Sequence, residues 1–234
     1  MVMLCRTQSC LTRAPFLRFA LSGLRFAGAL PSPGGRGLRL GSTLMHNAIF
    51  MDRDGTVSEE VGYIYHAGLY RPFPWAGPAI RQINESGMKA VLITNQSGVG
   101  RGYFDERTVE DVHDILRAEL ARHDARLDAI YACMHHPEAG CECRKPNPGM
   151  LLQARRELDI DLTKSYVIGD KHLDVEAAYA VGAKGVLVLT GDGRGELEKY
   201  RASQHQPHLV AENLMEAVDA ILDGALGVIP EDAQ

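Results

Sequence analysis

From residue 46 onward, apolar and polar positions fall into alternating blocks. Ala48-Ile49-Phe50-Met51 is a short uninterrupted apolar run, and four more follow at residues 88–94, 127–131, 165–168 and 185–189. Between them lie stretches with helical patterning: Pro78 to Ser86, Glu106 to His123, Gly149 to Leu158 and Val175 to Val181. A last helical stretch runs from about Asn213 to Leu222. Strands that are apolar throughout, separated by helices, predict an α/β domain: a parallel sheet with helices on both faces. In such a sheet the working residues gather at the carboxyl ends of the strands. Each motif is therefore weighed by its distance from a strand end.

The first strand runs into Asp52-Arg53-Asp54-Gly55-Thr56. Two carboxylates one residue apart at a strand end suit phosphoryl transfer: one attacks phosphorus and the other protonates the leaving oxygen. The bland alternative is an Asx-turn with two solvated aspartates. The second strand ends in Thr94-Asn95-Gln96-Ser97-Gly98, whose hydroxyls and amides can donate to phosphate oxygens. The fourth ends in Gly169-Asp170-Lys171-His172-Leu173-Asp174. Asp170 could complete a Mg²⁺ site with the first strand's carboxylate, since Mg²⁺ takes one or two carboxylates plus substrate phosphate. Asp174 is either an N-terminal helix residue or a group that orients Lys171. Between the third and fourth strands stands Arg144-Lys145-Pro146-Asn147-Pro148-Gly149, a fork and a point charge for phosphate ahead of a helix.

These four strand-end motifs, in this order, resemble those of the haloacid dehalogenase superfamily over residues 46–222. The resemblance implies a Rossmann-like sheet without a large cap. It also implies Asp52 as nucleophile, Asp54 as acid and base, and Thr94 and Lys145 as holders of the transferring phosphoryl group. Mg²⁺ would be bound by Asp52, the backbone carbonyl of Asp54, and Asp170.

Cysteine usage adds a second metal. Three of the five cysteines fall within eleven residues, in Cys133-Met134-His135-His136-Pro137-Glu138-Ala139-Gly140-Cys141-Glu142-Cys143. Cys133, His135, Cys141 and Cys143 can supply four tetrahedral zinc ligands. His135 is preferred to His136 because its C-x-H spacing mirrors the C-x-C half. A disulfide fits poorly, because Cys141 and Cys143 are too close to pair without strain. Four protein ligands close the site, so Zn²⁺ is expected to be structural and to fix the loop that ends in Arg144 and Lys145.

TNQSGVGRG, CRKPNPGM and GDK together are similar to the zinc-containing heptose bisphosphate phosphatase branch of the superfamily. Histidinol-phosphate phosphatases share the zinc loop, but an acid is expected there after TNQ and no RG beyond it. The branch implies hydrolysis of the 7-phosphate of a heptose 1,7-bisphosphate, in the supply of nucleotide-activated heptose or lipopolysaccharide core precursors. It implies substrate contacts from Gly62, Tyr63, Asn95, Gln96, Ser97 and Lys171, with Arg144 on the distal phosphate. One departure is the stretch from His66 to Trp75, where an expected acid is missing and Arg71 stands. The rival of another class is a non-catalytic zinc-knuckle binding module.

Composition changes the picture at the N-terminus. The chain has 234 residues and a net charge of −5, and its 45% apolar and 24% charged content is that of a globular protein. Six arginines and no acid precede Asp52, which leaves 19 basic against 30 acidic residues and about −11 for the remainder. Residues 1–45 are thus expected to be a leader outside the fold, either a mis-called or disordered start or a transit peptide. A secretory signal fits less well, and Arg18 and Arg25 cut the apolar stretch too short for a membrane span. Residues 46–224 would form the phosphatase domain and 225–234 a tail. An acidic body argues against nucleic acid. The expected partner is a small phosphorylated sugar, and the expected enzyme is a cytoplasmic monomer. Phe73 and Trp75 read as core or staple residues, His113 and His123 as surface, and Arg117, Arg122 and Arg126 as part of a solvated helix.

Overall fold

The side chains of Ala48–Met51 are all fully buried, with Ile49 and Met51 packed into one apolar cluster and Ala48 and Phe50 into another. A strand buried on both faces needs cover on both sides, and this one has it. The computed structural model describes residues 2–4, 45–200 and 205–224. Among these, seven strands form one sheet: β1 (Val2–Leu4), β2 (Ala48–Met51), β3 (Lys89–Asn95), β4 (Ala129–Cys133), β5 (Tyr166–Gly169), β6 (Lys184–Val188) and β7 (Leu209–Ala211). The order is β1-β4-β3-β2-β5-β6-β7 and every pairing is parallel.

Seven helices accompany them: α1 (Ala76–Glu85), α2 (Ser97–Gly100), α3 (Glu106–Ala121), α4 (Gly149–Leu158), α5 (His172–Tyr179), α6 (Gly193–Tyr200) and α7 (Leu214–Leu222). Apolar residues of α1, α3 and α7 join Ile49 and Met51 on one face. Those of α4 and α5 join Ala48 and Phe50 on the other, and Tyr200 of α6 packs with Val175 and Leu187. The helix starts follow from side-chain caps: Asp105 accepts from the Thr108 amide, and Asn213 from the Glu216 amide.

All five expected strands are present. β7 has three residues and α6 is polar on most of its surface, and neither stands out in the pattern. The first residues of the leader differ from expectation. Val2–Leu4 pair with Ile130–Ala132 and form the edge strand of the sheet beside β4. The rest of that segment and the tail lie outside the described residues. No helix among the described residues is long and apolar enough to cross a membrane.

This topology fixes where the site lies. After β2 the chain builds β3 and β4 on one side, then returns to build β5, β6 and β7 on the other. The strand order therefore reverses at β2, and crevices form at the carboxyl ends of strands where such a switch occurs.

Candidate active site

Asp52 follows the last residue of β2 and is nearly buried. Its Oδ1 accepts from the amide of Arg53 at 2.7 Å and stands 2.9 Å from Nζ of Lys145. Lys145 is itself buried, so its ammonium needs partners. Besides Asp52 it reaches the carbonyl of Ile93 at 3.0 Å and Oδ1 of Asp174 at 2.6 Å. Burial pulls the ammonium's pKa down, but the Asp174 and Asp52 carboxylates outweigh it and the pKa is raised. Lys145 is thus a fixed cation at pH 7.

Asp170, just after β5, is fully buried behind Asp52. Oδ2 accepts from the Asp192 amide at 2.9 Å, while Oδ1 is buried without a partner. Burial, and then the Asp52 charge, push its carboxyl up to about 8. Gly55 (φ +84°) and Gly191 (φ +56°) press against it, and a Cβ at either would fall 2.1 or 2.3 Å from Oδ2.

Carboxylate oxygens of Asp52, Asp170 and Asp174 lie within 4.8 Å of one another. Asp174 is occupied: Oδ1 holds Lys145, and Oδ2 accepts from the Lys171 amide at 3.2 Å. Asp52 and Asp170 are left facing each other, one with an orphaned oxygen. Hard oxygen donors in that state fit a divalent cation.

Asp54 is held from the other side. Arg53 donates Nε to Oδ1 at 2.9 Å and a terminal nitrogen to Oδ2 at 2.8 Å, and Gln96 Nε2 donates to Oδ2 at 2.9 Å. The same Gln96 nitrogen reaches Thr94 Oγ1 at 2.9 Å.

A cleft of about 790 Å³, open to solvent, lies above these groups. It is lined by every residue expected to be catalytic or substrate-binding. Asp170 lies beneath it. Glu60, from the same segment as Gly62 and Tyr63, lines it as well, together with Gly98, Leu173 and Asp174. Asn95 lines the cleft and also ties down its floor. Its amide is engaged with the Lys145 peptide, accepting from Lys145 N at 3.1 Å and donating to Lys145 O at 3.2 Å. Lys171 Nζ is paired with Glu60 at 2.8 Å and Asp192 at 3.3 Å. Arg144 carries a buried terminal nitrogen with no partner, a donor aimed at nothing the chain itself supplies. Tyr63 is 45% exposed at the rim, edge-on to Tyr103 with ring centroids 4.8 Å apart. Arg71 donates to the carbonyls of Gly68 and Tyr70 and does not line the cleft.

The second cluster lies at the end of β4. Sulfur and nitrogen atoms of Cys133, His135, Cys141 and Cys143 fall within 4.8 Å of one another, with neighbouring pairs 3.2–3.6 Å apart. A tetrahedron with bonds of about 2.3 Å has edges of about 3.7 Å, so the cage is close to the size zinc requires. Hydrogen bonding from Cys143 outweighs burial and lowers the Cys133 thiol to about 5, toward the thiolate that metal binding needs. His136 is turned away, its Nδ1 accepting from the Glu138 amide.

One side chain corrects the sequence reading. His113 is fully buried rather than on the surface, because α3 turns this position toward Arg53, whose terminal nitrogen is 3.5 Å from its Nε2. Asp174 is the N-terminal helix residue that one of its two readings gave: it stands in the first turn of α5, where Oδ2 accepts from the Lys171 amide, and its other oxygen braces the Lys145 side chain. The acid four residues after Asp170 is a signal that can be read in the sequence. The clamp from Arg53 to Asp54 has no such signal.

Residues 142–217 match a family model described as HAD-hydrolase-like, and residues 70–178 match that of the polynucleotide kinase 3 phosphatases. A Yersinia pestis protein named D-glycero-beta-D-manno-heptose-1,7-bisphosphate 7-phosphatase is 45% identical over 153 residues, covering 62% of this chain and 81% of the relative. The Haemophilus influenzae protein of the same name is 43% identical over 164 residues, 65% of this chain and 88% of its own. The chain belongs to this family of haloacid dehalogenase-like phosphatases. Its fold agrees with that of the family. The crystal structure of D,D-heptose 1.7-bisphosphate phosphatase from B. bronchiseptica, complexed with magnesium and phosphate, superposes with a TM-score of 0.71 at 34% identity. That match covers 76% of this chain and 99% of the other.

Proposed function

We propose that this phosphatase hydrolyses the 7-phosphate of a D-glycero-D-manno-heptose 1,7-bisphosphate, with Mg²⁺ and through a phosphoaspartate on Asp52. The observation that carries the reading is the pairing of Asp52 with the Lys145 ammonium at 2.9 Å, beside the orphaned oxygen of Asp170. The substrate itself is taken from the names of the 43–45% identical relatives.

A phosphate dianion repels an attacking carboxylate, so positive charge must be in place before the oxygens approach in line. Lys145 supplies one such charge, fixed by Asp174. Mg²⁺ would be held by Asp52, the backbone carbonyl of Asp54 and Asp170, and would supply the rest of the neutralisation. Asp52 attacks phosphorus while Thr94 and Lys145 hold the transferring group. Asp54 gives its proton to the departing sugar oxygen and then takes one from the water that cleaves the acyl phosphate. Arg144 receives the distal phosphate, with Gly62, Tyr63, Gln96, Ser97 and Lys171 around the sugar. Cys133, His135, Cys141 and Cys143 would hold Zn²⁺, which would tie down the loop that delivers Arg144 and Lys145.

Phosphate release from both anomers of the heptose bisphosphate, histidinol phosphate and fructose 1,6-bisphosphate tests the substrate. One heptose anomer is expected to turn over fastest, and faster histidinol phosphate turnover would overturn the assignment. Asp52→Asn is expected to abolish activity, and full retention would overturn the mechanism. The working domain is proposed to be residues 46–224, acting on its substrate in the cytoplasm without need of a partner chain. A chain starting at Met45 is then expected to keep wild-type turnover.

A further inference from the structure

Arg53 stands between the two aspartates in sequence and is among the largest fully buried side chains of the protein, 1% exposed. A guanidinium in such a place must be fully partnered. Its Nε and one terminal nitrogen fork onto the two oxygens of Asp54 at 2.9 and 2.8 Å. Its other terminal nitrogen faces Nε2 of His113 at 3.5 Å, and its central carbon stands 5.8 Å from the Tyr70 ring centroid. Burial, together with the Arg53 and Arg117 charges, lowers His113 to about 2, so the imidazole is neutral and Nε2 can accept. Gln96 and Ser58 complete the set of donors around Asp54. None of Arg53, His113 and Tyr70 lines the substrate cleft.

We propose that Arg53 is a positioning residue for the hydrolysis: its fork, backed by His113 and Tyr70, sets the orientation of Asp54 and stabilises the charge left there after proton donation. The inference rests on the reading of Asp54 as acid and base. In the first half-reaction the bond from phosphorus to the sugar oxygen breaks as the bond to Asp52 forms. The Asp54 proton goes to the departing oxygen, leaving a carboxylate in the guanidinium fork. In the second half-reaction that carboxylate takes a proton from the water whose oxygen displaces Asp52. A lysine could supply charge but not two parallel donors, which is why the fork matters.

The test compares two phosphate esters on the full-length protein with Mg²⁺ supplied. The heptose bisphosphate has an alkoxide leaving group that needs a proton. The leaving group of 4-nitrophenyl phosphate does not. Arg53→Met is expected to lower kcat on the sugar ester at least about tenfold more than it lowers the first-turnover burst of 4-nitrophenol. KM should stay within about twofold, and in an Asp54→Asn background the same change should cost the sugar ester less than about twofold. Equal losses on the two esters, or a further loss in the Asp54→Asn background, would overturn the proposal. If Asp54→Asn itself slows both esters equally, the acid–base reading falls first and the proposal with it. Should Arg53→Met fail to fold, Arg53→Lys keeps the charge without the fork. It is expected to show the same difference between esters, and full sugar-ester activity in that variant would overturn the role of the fork.

Discussion

The side-chain amide of Asn95 and the peptide of Lys145 hold each other through two hydrogen bonds, 3.1 and 3.2 Å long. This pairing joins the last residue of β3 to the residue that follows Arg144 on the cysteine loop. Asn95→Leu strips a partly buried peptide of both partners and should cost about 1–3 kcal/mol in urea unfolding. The kcat should fall at least about tenfold, because Lys145 loses its fixed position. Unchanged kcat in a folded variant would show that the pairing does not position the lysine.

Lys145 depends on Asp174 as well. Asp174→Leu leaves a buried ammonium with one counter-charge fewer, and a stability loss of about 3–5 kcal/mol is expected by chemical denaturation. Asp174→Asn keeps the shape and a hydrogen-bond acceptor, so it should fold better and still turn over at least about tenfold more slowly than wild type.

Metal analysis of the purified protein is expected to give about one zinc per chain, lost in Cys141→Ser. The zinc-free variant should melt at a lower temperature. It should also bind substrate more weakly, since the loop carrying Arg144 and Lys145 would no longer be tied. A variant that lacks zinc yet keeps wild-type melting and KM would remove the metal's structural role.

The pH dependence of stability has a definite sign at His113. Burial first, then Arg53 and Arg117, put its folded pKa at about 2, below the unfolded value of about 6.5. Its contribution is therefore complete above about pH 6.5 and is lost as the pH falls toward 2. Between pH 7 and pH 5 the loss from this group is about 2 kcal/mol. His113→Gln cannot take up the proton, so its stability should fall less over that interval in parallel urea titrations. Identical slopes for the two proteins would contradict the burial of a neutral imidazole.

The architecture and most of the cleft were legible because they rest on local rules. A run such as Ala48–Met51, apolar at every position, announces a strand covered on both faces, and an aspartate at its end announces the crevice. The same holds for the spacing of Cys133, His135, Cys141 and Cys143. What was not legible depends on which way a long side chain turns. Asn95 reads as a phosphate donor, and its second task, holding the Lys145 peptide, shows only once the cysteine loop has folded back. His113 lies on a helix of mixed charge, and only the buried Arg53 beneath it explains why an imidazole faces inward. The edge strand Val2–Leu4 has no pattern beyond three apolar residues in a basic stretch.

Gly55 and Gly191 come from different loops, yet both close on the same oxygen of Asp170. That carboxylate is located less by what binds it than by the absence of two methyl groups, as a casting is located by its mould. Positions 55 and 191 are thus coupled through a residue that neither adjoins in sequence. A single added carbon at either would displace that carboxylate before it was felt anywhere on the surface.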